Sequence, residues 1–514
     1  MLIRDLFKEQ VAKTPEATAL IFKEKETTWR EIDSLSNRFA GGIKELGIQK
    51  GSRVAALLTN SPEFLATYLA FLKTGVVFVP LNFQLTGSHI EYVLNHSESK
   101  ILLCDDALVP MVKEVLPKLE YTTHLITVGE NAPREGRLSF QEVLSRGKDV
   151  EPSTPLQEDD IAVFLYTAGT TGDPKGVVHT HFNCAFAAQH WAKVFHMGPG
   201  RTILMVLPLF HAFGIHCLAL PALISGVRMV MSEKYQTQWA LEAIQKYRVT
   251  DLIIVPAMGN LIINHPDFSQ YDFSSLELLL MGGAIVPYEL LKQWREKFPK
   301  LEIINGFGQT ESCPCATGLW DVDILTKPGS VGKPWAVVQL KIVNDEGKEL
   351  PPRKVGEIVY KVASVMKEYY KDPKLTAETV RDGWLYSGDL GYVDEDGYVY
   401  IVDRKKDIII RGGENISSME VEEVLHKHPA VLEASAISAP HPILGETVMA
   451  VVVRKPGQSL SEEELVRFCE GHLEYFKVPA KVEFMDVLPR NPAGKVLKRE
   501  LKAKFFDQGK GGSP

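Results

Sequence analysis

The run Leu165-Tyr166-Thr167-Ala168-Gly169-Thr170-Thr171-Gly172-Asp173-Pro174-Lys175-Gly176 concentrates the groups that hold phosphates. Its glycines let backbone amides turn toward an anion, the hydroxyls of Thr167, Thr170 and Thr171 add donors, and Lys175 adds a charge. The apolar residues 161–165 before it and Val177-Val178 after it read as buried strands, so the segment is expected to be a loop between two strands. The spacing is not that of a Walker A loop. Lys175 is followed by Gly176, where a P-loop needs Ser or Thr for magnesium, and no helix start follows directly. A phosphate loop of another kind is implied; the alternative without chemistry is a Gly/Thr surface hairpin.

The string resembles the signature of the adenylate-forming superfamily, which contains acyl-CoA synthetases, firefly luciferases and the adenylation domains of peptide synthetases. The family usually has Ser where Ala168 stands, so one hydroxyl donor to the phosphates is absent while the backbone amides remain. Further stretches match in the family's order up to Lys495. Asn305-Gly306-Phe307-Gly308-Gln309-Thr310-Glu311 follows a strand-like segment, which puts a Gly-rich turn where open α/β sheets bind ligands. The resemblance implies that Gly306, Phe307 and Gly308 border the adenine, that Gln309 also binds the nucleotide, that Thr310 contacts the α-phosphate, and that Glu311 and Thr167 bind magnesium. A carboxylate suits that role because Mg²⁺ prefers hard oxygen ligands. Tyr386-Ser387-Gly388-Asp389 is similar to the family's ribose motif, with Asp389 accepting from both hydroxyls and Arg404 reaching the same sugar.

Pro489-Arg490-Asn491-Pro492-Ala493-Gly494-Lys495 resembles the family's last motif, in which Lys495 is the catalytic lysine. Adenylation places negative charge on an acyl oxygen and on the α-phosphate, which a mobile ammonium can offset. Ile410-Arg411-Gly412-Gly413-Glu414-Asn415-Ile416 resembles the loop lining the pantetheine tunnel, so Gly412, Gly413 and Glu414 are expected beside CoA, and Lys406 falls on the family's hinge position. Pro208-Leu209-Phe210-His211-Ala212-Phe213-Gly214 matches the motif that borders the carboxylate, giving His211 a positional role. With 255–258, Met281-Gly282-Gly283-Ala284 and 312–316, it is expected to form the acyl pocket, Gly283 and Ala284 also touching the nucleotide. These stretches contain no Asp to meet an α-ammonium and no Arg or Lys to meet a second carboxylate, so the acyl chain should be uncharged and apolar.

These residues need a frame larger than one core. A chain of 514 residues suggests two or more domains, and 45% hydrophobic with 24% charged residues is ordinary for a soluble globular protein. The net charge of −8 argues against nucleic acid as a partner. Cys104, Cys184, Cys217, Cys313, Cys315 and Cys469 form no C-x-x-C pair, so neither a zinc site nor a disulfide framework is suggested and a cytoplasmic location is expected. The N-terminus has charges where a signal peptide needs an apolar core. Residues 203–227 lack Asp, Glu, Lys and Arg over a membrane-spanning length, but Pro208, His211, His216 and Pro221 interrupt them, which favours a buried strand, loop and helix and leaves peripheral membrane contact open.

The first 105 residues alternate helix and strand signals, beginning with a capping box from Thr28 to Glu31 and a proline-initiated helix after Ser61, and βαβ organisation resumes over 250–304. The charged run Asp403-Arg404-Lys405-Lys406-Asp407 breaks the strand pattern after Val402. A compact α+β unit follows, with capping boxes predicted from Ser417 to Glu420 and from Ser461 to Glu464. The expected fold is α/β: a large N-terminal domain of layered subdomains with mostly parallel sheets (1–402), a hinge (403–406) and a small mobile α+β C-terminal domain (407–514). The resemblance implies an ATP- and Mg²⁺-dependent acyl-CoA synthetase using coenzyme A as co-substrate, with a medium- or long-chain fatty acid as its acid, in a monomer or homodimer. Alternatives are a benzoate-like or alicyclic acid, transfer to a carrier protein, luciferase-like oxidation, and, outside the class, an NTPase or a non-catalytic nucleotide-binding regulator.

Overall fold

The computed structural model describes residues 1–129, 136–167, 174–490 and 496–506. Among these residues the strands form three sheets. In the eight-stranded sheet, Arg53–Leu57 lies between Val77–Pro80 and Ile101–Asp105, all parallel, as βαβ crossovers dictate. Thr28 and Glu31 form the reciprocal capping box of helix Trp29–Glu45, and Ser61 caps helix Pro62–Thr74 with Pro62 at its start. Ile161–Thr167 and Lys175–Thr180 are the two strands expected around the phosphate loop, and they pair antiparallel.

The fourteen-stranded sheet holds five parallel neighbours in the order Glu302–Phe307, Leu278–Gly282, Asp251–Ile254, Thr202–Met205 and Arg228–Met231. Their side chains are mostly apolar and buried on both faces, Asp251 and Asn305 being among the buried polar exceptions. Residues 203–227 resolve into the strand Thr202–Met205, the turn at 208–211, a π turn over Ile215–Ala219 and the helix Leu220–Ser225. No helix among the described residues is long and apolar enough to cross a membrane.

The strand Val399–Arg404 runs two residues further than the charge pattern suggests, because Asp403 and Arg404 complete an antiparallel ladder opposite Leu390 and Asp389. The turn comes next, where the Asp407 amide donates to the Arg404 carbonyl at 2.9 Å. Beyond it a five-stranded sheet carries helices Ser418–Lys427, Glu462–Glu470 and Lys498–Phe506. Of the two capping boxes predicted here the N-cap half forms: Ser417 accepts from the Glu420 amide and Ser461 from the Glu464 amide. The Glu420 carboxylate instead pairs with Lys477 at 2.7 Å, a stronger, charged partner. The buried apolar clusters divide at the same place: two are built from residues up to Val399, two from Ile409 onward.

Candidate active site

Three of the expected acyl-pocket stretches and the expected nucleotide motif follow the carboxyl ends of adjacent parallel strands. Residues 208–214 follow Thr202–Met205, residues 255–258 follow Asp251–Ile254, residues 281–284 close Leu278–Gly282 and residues 305–311 close Glu302–Phe307. The last two stand in register, Gly282 opposite Gly306. Carboxyl ends of parallel strands are where an open sheet leaves a crevice. Within it Gly283 lies so close to Phe213 that a Cβ would come to 3.2 Å of that ring, which ties the Gly283-Ala284 turn to the His211 stretch. Gly308 meets the Pro314 carbonyl: a Cβ there would come to 2.2 Å, so only glycine lets the 305–311 turn fold back on 312–316. His211 accepts from the Phe213 amide at 3.2 Å, and desolvation lowers its pKa to about 4, so it is neutral at pH 7 and suited to a positional role.

At the neighbouring edge Gln309 gathers the expected ribose residues. Its amide nitrogen donates to Asp389 Oδ2 at 2.9 Å and to the Ser387 carbonyl at 2.8 Å, while its oxygen accepts from the Tyr360 hydroxyl at 3.3 Å. Arg404 Nε lies 3.1 Å from Asp389 Oδ1, because the two face each other across the ladder. Gly388 has a φ of +72° and donates its amide to Glu357, which also pairs with Lys405 at 2.9 Å. Burial lowers the pKa of Lys406; the charge of Arg404 lowers it further, and Lys175 and Asp389 also act on it. Lys406, the residue expected at the hinge, therefore lies within electrostatic reach of Arg404, Asp389 and Lys175.

Glu311 and the phosphate-loop hairpin are joined by a residue that the motifs did not point to. The short strand Glu368–Tyr369 pairs with Lys175–Thr180, Tyr369 opposite Val177. Its hydroxyl donates to Glu311 Oε1 at 2.7 Å, and Lys175 Nζ lies 5.7 Å from its ring centroid. The Met366 amide donates to the Glu311 carbonyl at 2.7 Å. Thr167 stands opposite Lys175 in the hairpin. Burial, then the charge of Glu311, pushes the Tyr369 phenol well up, so it stays a donor at any working pH. Thr167 and Glu311 offer hard oxygens only, the donor set that Mg²⁺ takes. Ala168, Gly169, Thr170, Thr171, Gly172 and Lys495 lie outside the described residues. Tyr369 and Tyr360 gave no sequence signal, being tyrosines in short unremarkable strands whose value comes from pairing.

Gly412 and Gly413 are the two central residues of a hairpin between Ile409–Arg411 and Glu414–Ile416, with φ of +60° and +93°. A two-residue turn positive at both positions demands glycine or asparagine. Its anchors are in the C-terminal unit: the Gly412 amide donates to the Leu444 carbonyl at 2.8 Å and the Ile410 amide to Glu446 at 2.8 Å.

The family profile described as AMP-binding enzyme matches residues 7–370, and that described as AMP-binding enzyme C-terminal domain matches residues 420–495. The chain belongs to the AMP-binding enzymes. This AMP-binding enzyme is 35% identical over 492 residues to a feruloyl-CoA synthase of an Amycolatopsis species, covering 96% of each chain. It is 34% identical over 528 residues to a long-chain-fatty-acid–CoA ligase of Bacillus subtilis, covering 97% of this chain and 94% of the relative. Among solved structures it is similar to the anthranilate CoA ligase AuaEII in complex with anthranoyl-AMP, at 28% identity and a TM-score of 0.92, covering 98% of this chain and 97% of that one. The resemblance read from the motifs and the expected fold class are thereby borne out, and the AMP-binding enzyme is an AMP-forming acid–thiol ligase.

Proposed function

We propose that the protein condenses a monocarboxylic acid whose acyl chain is apolar and uncharged with ATP to an acyl-AMP, releasing pyrophosphate, and then transfers the acyl group to coenzyme A, releasing AMP. The observation that carries this reading is the convergence of three acyl stretches and the 305–311 motif at the ends of four adjacent parallel strands, beside the Gln309–Asp389–Arg404 cluster. Asp389 accepts from the ribose hydroxyls, Gln309 and Arg404 holding its carboxylate in place. Thr310 and the residues 167–175 receive the phosphates. Thr167 and Glu311 would hold Mg²⁺, which when bound neutralises phosphate charge. Lys495 offsets the charge that builds on the acyl oxygen and α-phosphate. Residues 407–514 form a mobile domain that turns about 403–406, first to present Lys495 and then to present the Gly412-Gly413-Glu414 hairpin to coenzyme A. A medium- or long-chain fatty acid is the first reading of the substrate. An aryl acid is the second, favoured by the feruloyl-CoA synthase similarity.

The test is a panel of octanoate, palmitate, benzoate, ferulate, an amino acid and a dicarboxylate, read by acid-dependent exchange of labelled pyrophosphate into ATP and by CoA thioester formation. Exchange and thioester with the acids whose acyl chain is uncharged, and neither with the last two, is the expected result. Release of orthophosphate, or preference for an acid with a second charged group, would overturn it.

A further inference from the structure

Directly behind the Thr310–Glu311 turn lies a group of buried side chains that the ligase reaction does not use. His179, His216 and Cys313 are each fully buried, and their donor atoms lie within 4.8 Å of one another. They come from three elements: the strand Lys175–Thr180, the π turn Ile215–Ala219, and the residue after the short turn Thr310–Ser312.

The hydrogen bonds set the tautomer of the first. His179 Nε2 lies 2.9 Å from the Thr310 carbonyl, which can only accept, so Nε2 carries the proton. Nδ1 then presents its lone pair toward Cys313 Sγ, 3.4 Å away. A backbone carbonyl orienting one imidazole nitrogen while the other faces a thiol is the outer-shell arrangement of a metal-ligating histidine. His216 supplies an independent sign. Its Nδ1 is buried with no hydrogen-bond partner, while its Nε2 lies 3.8 Å from Cys184 Sγ, and its ring stands edge-on to His179 with centroids 5.0 Å apart. A buried polar atom left without a partner needs an explanation, and a ligand is one.

We propose that His179, His216 and Cys313 form a buried binding site for a transition-metal ion of the Zn²⁺ class. Two imidazoles and a thiol select borderline or soft ions such as Zn²⁺, Co²⁺ or Cu⁺ over Mg²⁺, so the site is chemically separate from the magnesium expected at Glu311. Tetrahedral Zn–N and Zn–S bonds place ligand atoms about 3.5 Å apart, so the three donors need only draw inward. Binding sends the Cys313 thiol proton to solvent and leaves both imidazoles neutral. Because His179 holds the Thr310 carbonyl and Cys313 follows the same turn, an occupied site fixes the backbone of the nucleotide motif.

Chelator-treated full-length protein titrated with Co²⁺, without acid or coenzyme A, reports the site independently of the ligase reading. One equivalent should give a thiolate-to-cobalt charge-transfer band with tetrahedral ligand-field bands, persisting in excess Mg²⁺ and bleached by Zn²⁺. Cys313→Ser and His216→Gln should each abolish the band, while Cys469→Ser in the C-terminal unit keeps it. Zn²⁺ should raise the melting temperature of wild type and not that of His216→Gln, which carries the test should Cys313→Ser not fold. Absence of the band in wild type, its survival in Cys313→Ser or His216→Gln, or its loss in Cys469→Ser would overturn the proposal.

Discussion

Replacing Tyr369 by Phe removes one oxygen from the site and little else. The ring stays, and with it the contact to Lys175 at 5.7 Å and the pairing with Val177. What is lost is the 2.7 Å hydrogen bond to Glu311 Oε1. A hydrogen bond to a charged group is worth about 1.5–3 kcal/mol, and part of it here serves to hold the carboxylate in the orientation a metal needs. If Glu311 binds Mg²⁺, that energy reappears as weaker metal binding, about 10–100-fold, since each 1.4 kcal/mol is about tenfold. Pyrophosphate formation titrated with Mg²⁺ at fixed ATP should show the half-saturating concentration rising by that factor while the rate at saturation stays within a few-fold of wild type. Glu311→Gln, which removes the charge itself, should lower the saturating rate as well, and Mg²⁺ should recover only part of it. An unchanged magnesium dependence in Tyr369→Phe, with the melting temperature also unchanged, would refute the assignment of Glu311 to the metal.

Lys495→Ala should slow acyl-AMP formation by about 10²–10³-fold while sparing thioester formation from preformed acyl-AMP, because charge develops at the α-phosphate only in the first step; equal loss of both in stopped-flow assays would make Lys495 structural. Lys406→Pro restricts Lys405 inside the turn that the Asp407 amide closes on Arg404, so the domain orientation seen here should be lost and with it one half-reaction only. Equal loss of both half-reactions with a lowered melting temperature would mean simple unfolding. In metal-free protein, burial lowers His179 and His181 to a pKa of about 4 against an ordinary 6.5, so between those values the unfolded chain binds protons that the folded one refuses. Their stability contribution is complete above pH 6.5 and falls with pH by about 1.4 kcal/mol per unit for each group, which urea titrations from pH 7.5 to 5 should show as a falling midpoint and a flat profile would contradict.

The motifs were legible because each is a short string whose backbone geometry is local: Gly412 and Gly413 must sit at positive φ, and Thr28 with Glu31 must close a helix start, whatever surrounds them. What could not be read were contacts made by pairing between strands. Tyr369 reaches Glu311 only because its strand joins the edge of the phosphate-loop hairpin, and Asp389 meets Arg404 through a ladder that continued two residues past the point where charge suggested it should stop. Charge patterning misleads at such places because an ion pair held in a strand ladder looks, in sequence, like a solvated turn. Lys73 is the extreme case: it ends an apolar helix, reads as a surface residue, and is fully buried with its ammonium 2.5 Å from Asp33 and 2.6 Å from Asn37. The same blindness hid the thiol and imidazole group behind Thr310. Cys184, Cys217, Cys313 and Cys315 match no metal spacing, but a helix, a π turn, a short turn and a strand packed together can gather distant residues more tightly than any local motif. Chemistry carried by strand ends is therefore visible early in a chain of this kind, whereas chemistry carried between strands emerges only with the register.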